Sequence, residues 1–298
     1  MKIKNKKFNY SNFIILIPFL WLTIFFALPL IEIIEVSLSI PKRGIPPYQK
    51  IFEIDNFSIT FNPNFSNYFF IWKNKSELFF PILNSFKLSF TSTVLCLLIG
   101  YPIAFWIAGS SRRMKIILLI MILLPFWISS LIKIYAIMNF LGKYGILNSI
   151  LIKLNIIKYP LNLMRTDISI YYGMIISYLP LMVLPILSSL SKIDKDIYEV
   201  ASDLGASSFV QFITLTLSLS LAGIFAGFLL VFIPSFGEFV IPELLGGSNQ
   251  IMIGKLLWTE FFRSRDWPFA SSLAIILLIF LTIPIILLRS IYNRQGSI

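Results

Sequence analysis

Runs of sequence with no charged residue dominate this chain: Phe13–Ile31, Leu88–Ser111, Ile116–Ile132, Ile168–Ser191, Leu204–Gly237 and Trp267–Leu288. Crossing about 30 Å of hydrocarbon takes roughly 20 apolar residues in a helix. Backbone groups in lipid must also be paired within their own element. The expected fold is therefore all-α and integral to a membrane, with six transmembrane helices. The third run is short and continues past Lys133 to Gly142. The fifth is too long, so only about Leu215–Phe236 belongs in the bilayer. Prolines fall inside the runs, at Pro18, Pro29, Pro102, Pro125, Pro180, Pro185, Pro234 and Pro284, where packed neighbours tolerate kinks.

Composition narrows the chemistry. Charged residues make up 13% of the chain, about half the share of a soluble domain. Histidine is absent and the single cysteine, Cys96, lies in an apolar run. Disulfides, zinc sites and histidine acid–base catalysis are thereby excluded. The net charge of +11 is spread over loops between apolar runs. That pattern suits the phospholipid bilayer as partner and not nucleic acid.

The first run follows Lys2, Lys4, Lys6 and Lys7, as in a signal peptide, but it exceeds a usual h-region and no A-x-A site follows. It is read as an uncleaved first span. Loops 1–12, 109–115, 192–203 and 289–298 are short and dense in Lys and Arg, whereas 32–87, 138–167 and 238–266 are long and sparse. The dense set is expected to be cytoplasmic. This gives cytoplasmic tails at 1–12 and 292–298, flanking a six-span domain over 13–291.

One segment breaks the apolar pattern. Residues 199–218 read EVASDLGASSFVQFITLTLS. Ile193, Ile197, Val200 or Ala201, and Leu204 recur at helical spacing, with Asp194, Asp196, Glu199, Ser202 and Asp203 on other faces. Gly205 is placed to end that helix in the left-handed conformation, and Ser207 or Ser208 to cap the next. A helix resting on anionic lipid carries Lys and Arg on its polar face; this face is largely acidic. A helix laid in a groove of a partner protein is the competing reading.

The same stretch resembles the EAA loop of ABC-importer permeases, whose pattern is E-A-A, three residues, G, nine residues, I-x-L-P. Glu199, Ala201, Gly205 and Leu217 match at that spacing. Val200 departs from the pattern, Leu215 replaces Ile, and Ser218 replaces the proline, which bears on the kink before the fifth span. The resemblance extends to ILLPFWISSLIKIYA (122–136), YGILNS (144–149), SYLPLMVLPI (177–186), FIPSFGEFVIPELLGG (232–247), IMIGKLLWTEFFRSRDWPFASS (251–272) and IPPYQKIF (45–52). These are similar to permeases of the spermidine/putrescine class, the putrescine permease subunit most of all.

The resemblance implies a binding-protein-dependent ABC importer permease in a bacterial inner membrane. It implies as partners a homologous second permease, two ATP-binding subunits and a periplasmic polyamine-binding protein. Glu199, Ala201, Asp203 and Gly205, in a coupling loop over about 192–214, would dock into the ATPase. The chain itself is expected to be no enzyme and to bind no cofactor, ATP being used by the partner subunits. Gly247 and Gly254-Lys255 do not make a phosphate loop: six residues separate the glycines and Leu256 follows, where a phosphate loop needs four and then Ser or Thr. A secondary carrier working without an ATPase is the alternative class, but a mid-membrane carboxylate or histidine relay is not evident.

A polycation path calls for carboxylates and aromatic faces. Glu238, at the outer end of the fifth span beside Phe236 and Phe239, is a pathway candidate or simply marks the membrane boundary. Glu243 follows it, and Trp127, Tyr101 and Tyr135 are candidate liners or packing residues. Lys133 is expected to snorkel to the interface. Glu32 and Glu35 share one helix face and are read as a helix end. Asp266 with Pro268 is expected to start the sixth span, with Trp267 as an interface anchor. Asp266 is also a docking candidate for the binding protein.

Overall fold

The computed structural model describes residues 10–55, 58–194, 196–248 and 250–295. Lys2, Lys4, Lys6, Lys7, Lys195 and the final residues 296–298 lie outside the described residues. The chain divides into two units, one of residues 76–256 and one made of the chain up to residue 75 with residues 257 onward.

The larger unit is built around helix Asp167–Leu190, which packs along the helix running from Ser208 to Phe236. Gly223 and Gly227 stand four apart on the second of these, one helical turn, and face the first. A Cβ on Gly223 would meet the Pro185 carbonyl oxygen and Ser189 Oγ, both at 2.6 Å. A Cβ on Gly227 would meet Met182 Sδ at 2.9 Å. In lipid, apolar side chains gain little by leaving their surroundings, so close backbone approach through small residues drives association. Helix Lys75–Gly109 completes one core with Cys96, Ala104, Ile107, Met182, Ile186 and Val231 buried. A second core gathers Leu88, Ile134, Ile170, Met174, Leu245 and Met252.

In the smaller unit, helix Leu28–Ser37 packs on helix Trp267–Gln295. Ser272 Oγ donates to the Ser37 carbonyl at 3.0 Å, and Tyr68 donates to Ser37 Oγ at 2.8 Å. Phe70 meets Phe269 edge to face. The segment Leu16–Ser37 leaves Phe19, Trp21, Phe25 and Ile31 exposed, as a lipid-facing helix would. The all-α expectation holds except here: two small antiparallel pairs, Ile40–Pro41 with Tyr48–Gln49 and Phe52–Asp55 with Ser58–Phe61, occupy the loop after the first span.

Among the described residues, four helices are long and apolar enough to cross a membrane: Leu16–Ser37, Leu78–Gly109, Asp167–Leu190 and Ser208–Phe236. The expected continuous third span is corrected. Helix Arg112–Trp127 stops two residues after Pro125, Ile128 and Ser129 are extended, and Ser130–Lys153 departs at 95°. The helix passes through Pro125, whose ring crowds the turn before it, and the break comes only after Trp127. Counting this bent pair as one span gives five. The sixth run forms helix Trp267–Gln295, whose apolar part among the described residues is Trp267–Ile283. By length and composition the described residues thus give four to five spans, and helix Trp267–Gln295 follows them.

The close approach at Gly223 carries a testable cost. Gly223→Ala places a methyl against the Pro185 carbonyl and should destabilise the unit by about 1–3 kcal/mol. Its thermal unfolding midpoint in detergent should fall, whereas lipid-exposed Leu221→Ala should melt like the parent. Equal midpoints for Gly223→Ala and the parent would contradict this packing.

Candidate functional site

The loop between the two central helices is built from local rules. Helix Asp196–Asp203 opens with Asp196 and Glu199 in its first turn, where carboxylates meet the positive end of the dipole. It ends at Gly205, whose φ is +80°. The Gly205 N–H donates to the Ser202 carbonyl and the Ala206 N–H to the Ala201 carbonyl, each at 2.9 Å. That pair of bonds is the Schellman closure, with glycine in the left-handed position. Ser207 then caps the next helix by accepting from the Val210 N–H at 3.5 Å. Both turn residues are those the sequence pointed to.

Two side chains that sequence reasoning missed tie this loop down. Gln211 Nε2 donates to Ser202 Oγ and to the Ala206 carbonyl, each at 2.9 Å, so the loop's two arms are stapled. The Tyr198 hydroxyl lies 3.0 Å from Thr216 Oγ1, fastening the loop helix to the following span. A polar residue following an i, i+4 apolar stripe gave no signal for either contact. Ala201 is half-buried, while Glu199 and Asp203 are exposed. The apolar stripe is not buried on the chain itself: Val200 and Leu204 are exposed, Leu204 at 83%. The tip is thus apolar, exposed and rimmed by carboxylates, where a helix resting on anionic lipid carries Lys and Arg.

Ser218, standing where the EAA pattern has proline, follows a π-helical segment, Phe212–Leu217. Such segments widen a helix by one residue per turn and kink it. The irregularity before the fifth span is thus present without proline.

At the other end of the same helix, Gly237 closes Ser218–Phe236 and Glu238 follows. Glu238 Oε1 accepts from the N–H groups of Phe239, Val240 and Ile241 at 3.1, 2.9 and 3.5 Å. The carboxylate thereby satisfies the free amides that open the short helix Val240–Leu245. Its Oε2 accepts from the Tyr178 hydroxyl of helix Asp167–Leu190. Lys133 is within electrostatic range of Glu238. Phe236 is fully buried, its ring 5.8 Å from that of Phe232. Glu243 pairs with Lys255 at 2.6 Å.

The other candidates sit apart from this group. The Tyr101 hydroxyl is buried 3.0 Å from Ser220 Oγ, and its ring packs edge-on against Phe212. Trp127 and Tyr135 are 77% and 57% exposed on the two arms of the bent pair. In the smaller unit, Asp266 Oδ1 accepts from the Phe269 N–H at 3.0 Å, capping the last helix as its position suggested. Trp267 stacks on Phe261 at 4.7 Å. Asp266 also borders a concavity of about 510 Å³ with Lys42, Arg43 and Arg265.

Comparisons with known proteins place this geometry. Spermidine/putrescine transport system permease protein PotB of Haemophilus influenzae is 36% identical over 298 residues, covering 100% of this chain and 97% of that protein. The protein of the same name from Salmonella typhimurium is 33% identical over 291 residues, covering 97% and 95%. That from Escherichia coli is 35% identical over 260 residues, covering 87% and 89%. The crystal structure of a bacterial ABC transporter involved in the import of the acidic polysaccharide alginate shares the fold, with a TM-score of 0.65 at 16% identity and 96% of each chain covered. Residues 100–295 match the family described as binding-protein-dependent transport system inner membrane component. The chain belongs to that family and is a transporter subunit of a membrane, not an enzyme.

Proposed function

We propose that the chain is one permease half of an ATP-driven importer of polyamines, putrescine foremost. The near full-length relation to PotB proteins carries the reading. A homologous second permease supplies the other half of the pathway. Two ATP-binding subunits consume ATP inside, this chain binding no cofactor, and a periplasmic binding protein delivers the polyamine outside. Both termini face the cytoplasm in a bacterial inner membrane. The PotB relatives carry spermidine beside putrescine in their name, which favours joint transport of both as the second reading.

Alternating access follows from what each end of the central helix pair does. At the inner end, Glu199, Ala201, Asp203 and Gly205 seat in the ATPase. The staple through Gln211 and the Tyr198–Thr216 contact make the loop move with the fifth span. At the outer end, Glu238 offers a negative charge held in place by three amides and Tyr178. An ammonium group approaching its remaining lone pair would compete with Lys133 for that charge. Phe236, Glu243, Trp127, Tyr101 and Tyr135 complete the proposed pathway set. Asp266, on its basic-rimmed concavity, is the proposed contact for the binding protein.

The first test is radiolabelled putrescine uptake by the reconstituted four-component transporter. ATP-dependent uptake that spermidine barely inhibits is expected. Strong inhibition by spermidine would shift the assignment to joint transport. Uptake that persists without the ATPase would overturn the importer reading in favour of a secondary carrier.

Two variants probe the ends separately. Gly205→Leu forces a branched side chain into the left-handed conformation, at about 1–2 kcal/mol, and crowds the docking surface. The protein should insert and assemble, yet lose stimulation of ATP hydrolysis by loaded binding protein; parental stimulation would remove the coupling role. Glu238→Gln keeps an oxygen for the three amides but discards the charge. Its putrescine uptake at low concentration should fall severalfold with an unchanged melting temperature, and an unaltered concentration dependence would count against the pathway role.

A further inference from the structure

A groove of about 670 Å³ in the 76–256 unit opens at the inner ends of two spans, on the reading of orientation given above. Phe105 and Trp106 form one wall, Leu190 and Ile193 another. The polar end is made by Ser110, Lys115, Ser191 and Tyr198. We propose that this groove binds an anionic phospholipid of the inner leaflet, its phosphate at Lys115 and Ser191 and an acyl chain along Phe105 and Trp106.

The charges favour an anion. Lys115 is half-buried, and Nζ donates to Ser191 Oγ at 2.6 Å. No carboxylate pairs with it: the ion pairs among the described residues are Lys87–Asp167 and Lys255–Glu243. An ammonium carries three donors, so a neutral hydroxyl leaves most of its capacity open. Arg112, Arg113 and Lys192 are exposed on the adjoining turns. Arg112 and Lys115 are like charges three residues apart on one helix, a repulsion that a bound phosphate relieves. The loop carboxylates Asp194, Asp196, Glu199 and Asp203 do not line the groove. A polycation substrate has the wrong sign for it.

The walls favour a lipid over a protein. Trp106 is 62% exposed and Phe105 also faces outward, on a helix whose outward face is otherwise lipid-facing. Aromatic walls on the outward face of an apolar span suit an acyl chain. Basic pockets between spans on the cytoplasmic side are suited to anionic head groups. Tyr198 has a share in both features, since it lines the groove and bonds Thr216. An occupied groove therefore buttresses the coupling helix, and anionic lipid becomes a regulator of coupling.

The assembled transporter is exchanged into nanodiscs of phosphatidylcholine with graded phosphatidylglycerol. Tightly held lipid is then identified by native mass spectrometry after a delipidating wash. The parent should retain phosphatidylglycerol over phosphatidylcholine, and Lys115→Gln should retain about fivefold less of it, as the loss of one interfacial cation implies. Lys115→Arg should restore retention, and Lys143→Gln, in a loop of the opposite set, should leave it unchanged. Stimulation of ATP hydrolysis by the binding protein should rise with phosphatidylglycerol in the parent and stay flat in Lys115→Gln. Equal retention by parent and Lys115→Gln, or an equal loss in Lys143→Gln, would overturn the proposal. Retention is read without any polyamine, so a failure of the substrate assignment leaves this result intact.

Discussion

Where helices Asp167–Leu190 and Ser208–Phe236 cross, Gly223 and Gly227 let one backbone lie against the other. A bilayer offers no hydrophobic reward for pairing two apolar helices, so the contact depends on van der Waals fit at these positions. The elements proposed to act in the larger unit are attached to this pair. The proposed coupling loop is the hairpin that joins them at one end, and Tyr198 with Thr216 ties it to the second helix. At the other end, the bond from Tyr178 to Glu238 links the first helix to the short helix that follows the second. These contacts join the loop and Glu238 to the same helix pair, as the proposed lever between an ATPase and a substrate path would require.

Electrostatics sort the surfaces. Glu238 is the carboxylate among the candidates that is held by several donors, and Lys133 is the cation that feels it. The concavity at Asp266 has the opposite sign on its rim, from Lys42, Arg43 and Arg265. The Asp266 carboxylate itself is engaged in capping. A polycation at the proposed Glu238 site would compete with Lys133, and the basic rim of the second arrangement would repel it. The second suits carboxylates presented by a partner.

Much of this was legible from residue order because it is local. Gly205 and Ser207 close one helix and open another through bonds that span a few residues, and Asp266 caps its helix in the same way. The long apolar runs were equally plain. The break at Ile128–Ser129 was not, because it falls inside an uncharged run with nothing local to mark it. Nor was the service of Glu238 to three amides, or its partner Tyr178, 60 residues away in sequence. Helical periodicity did show the apolar stripe through Val200 and Leu204, which the structure leaves exposed, but periodicity carries no information on what covers such a stripe.

The most direct measurement of the central claim is site-specific cross-linking at the loop tip. Cys96 is the one cysteine, buried within a span, so a Cys96→Ala background carrying Val200→Cys presents a single reactive thiol. With cysteines placed along the surface cleft of the ATP-binding subunit, the account predicts a disulfide between the two subunits whose yield changes when ATP is bound. An assembled transporter in which Val200→Cys never joins the ATPase, while a cysteine in the opposite set of loops does, would contradict it.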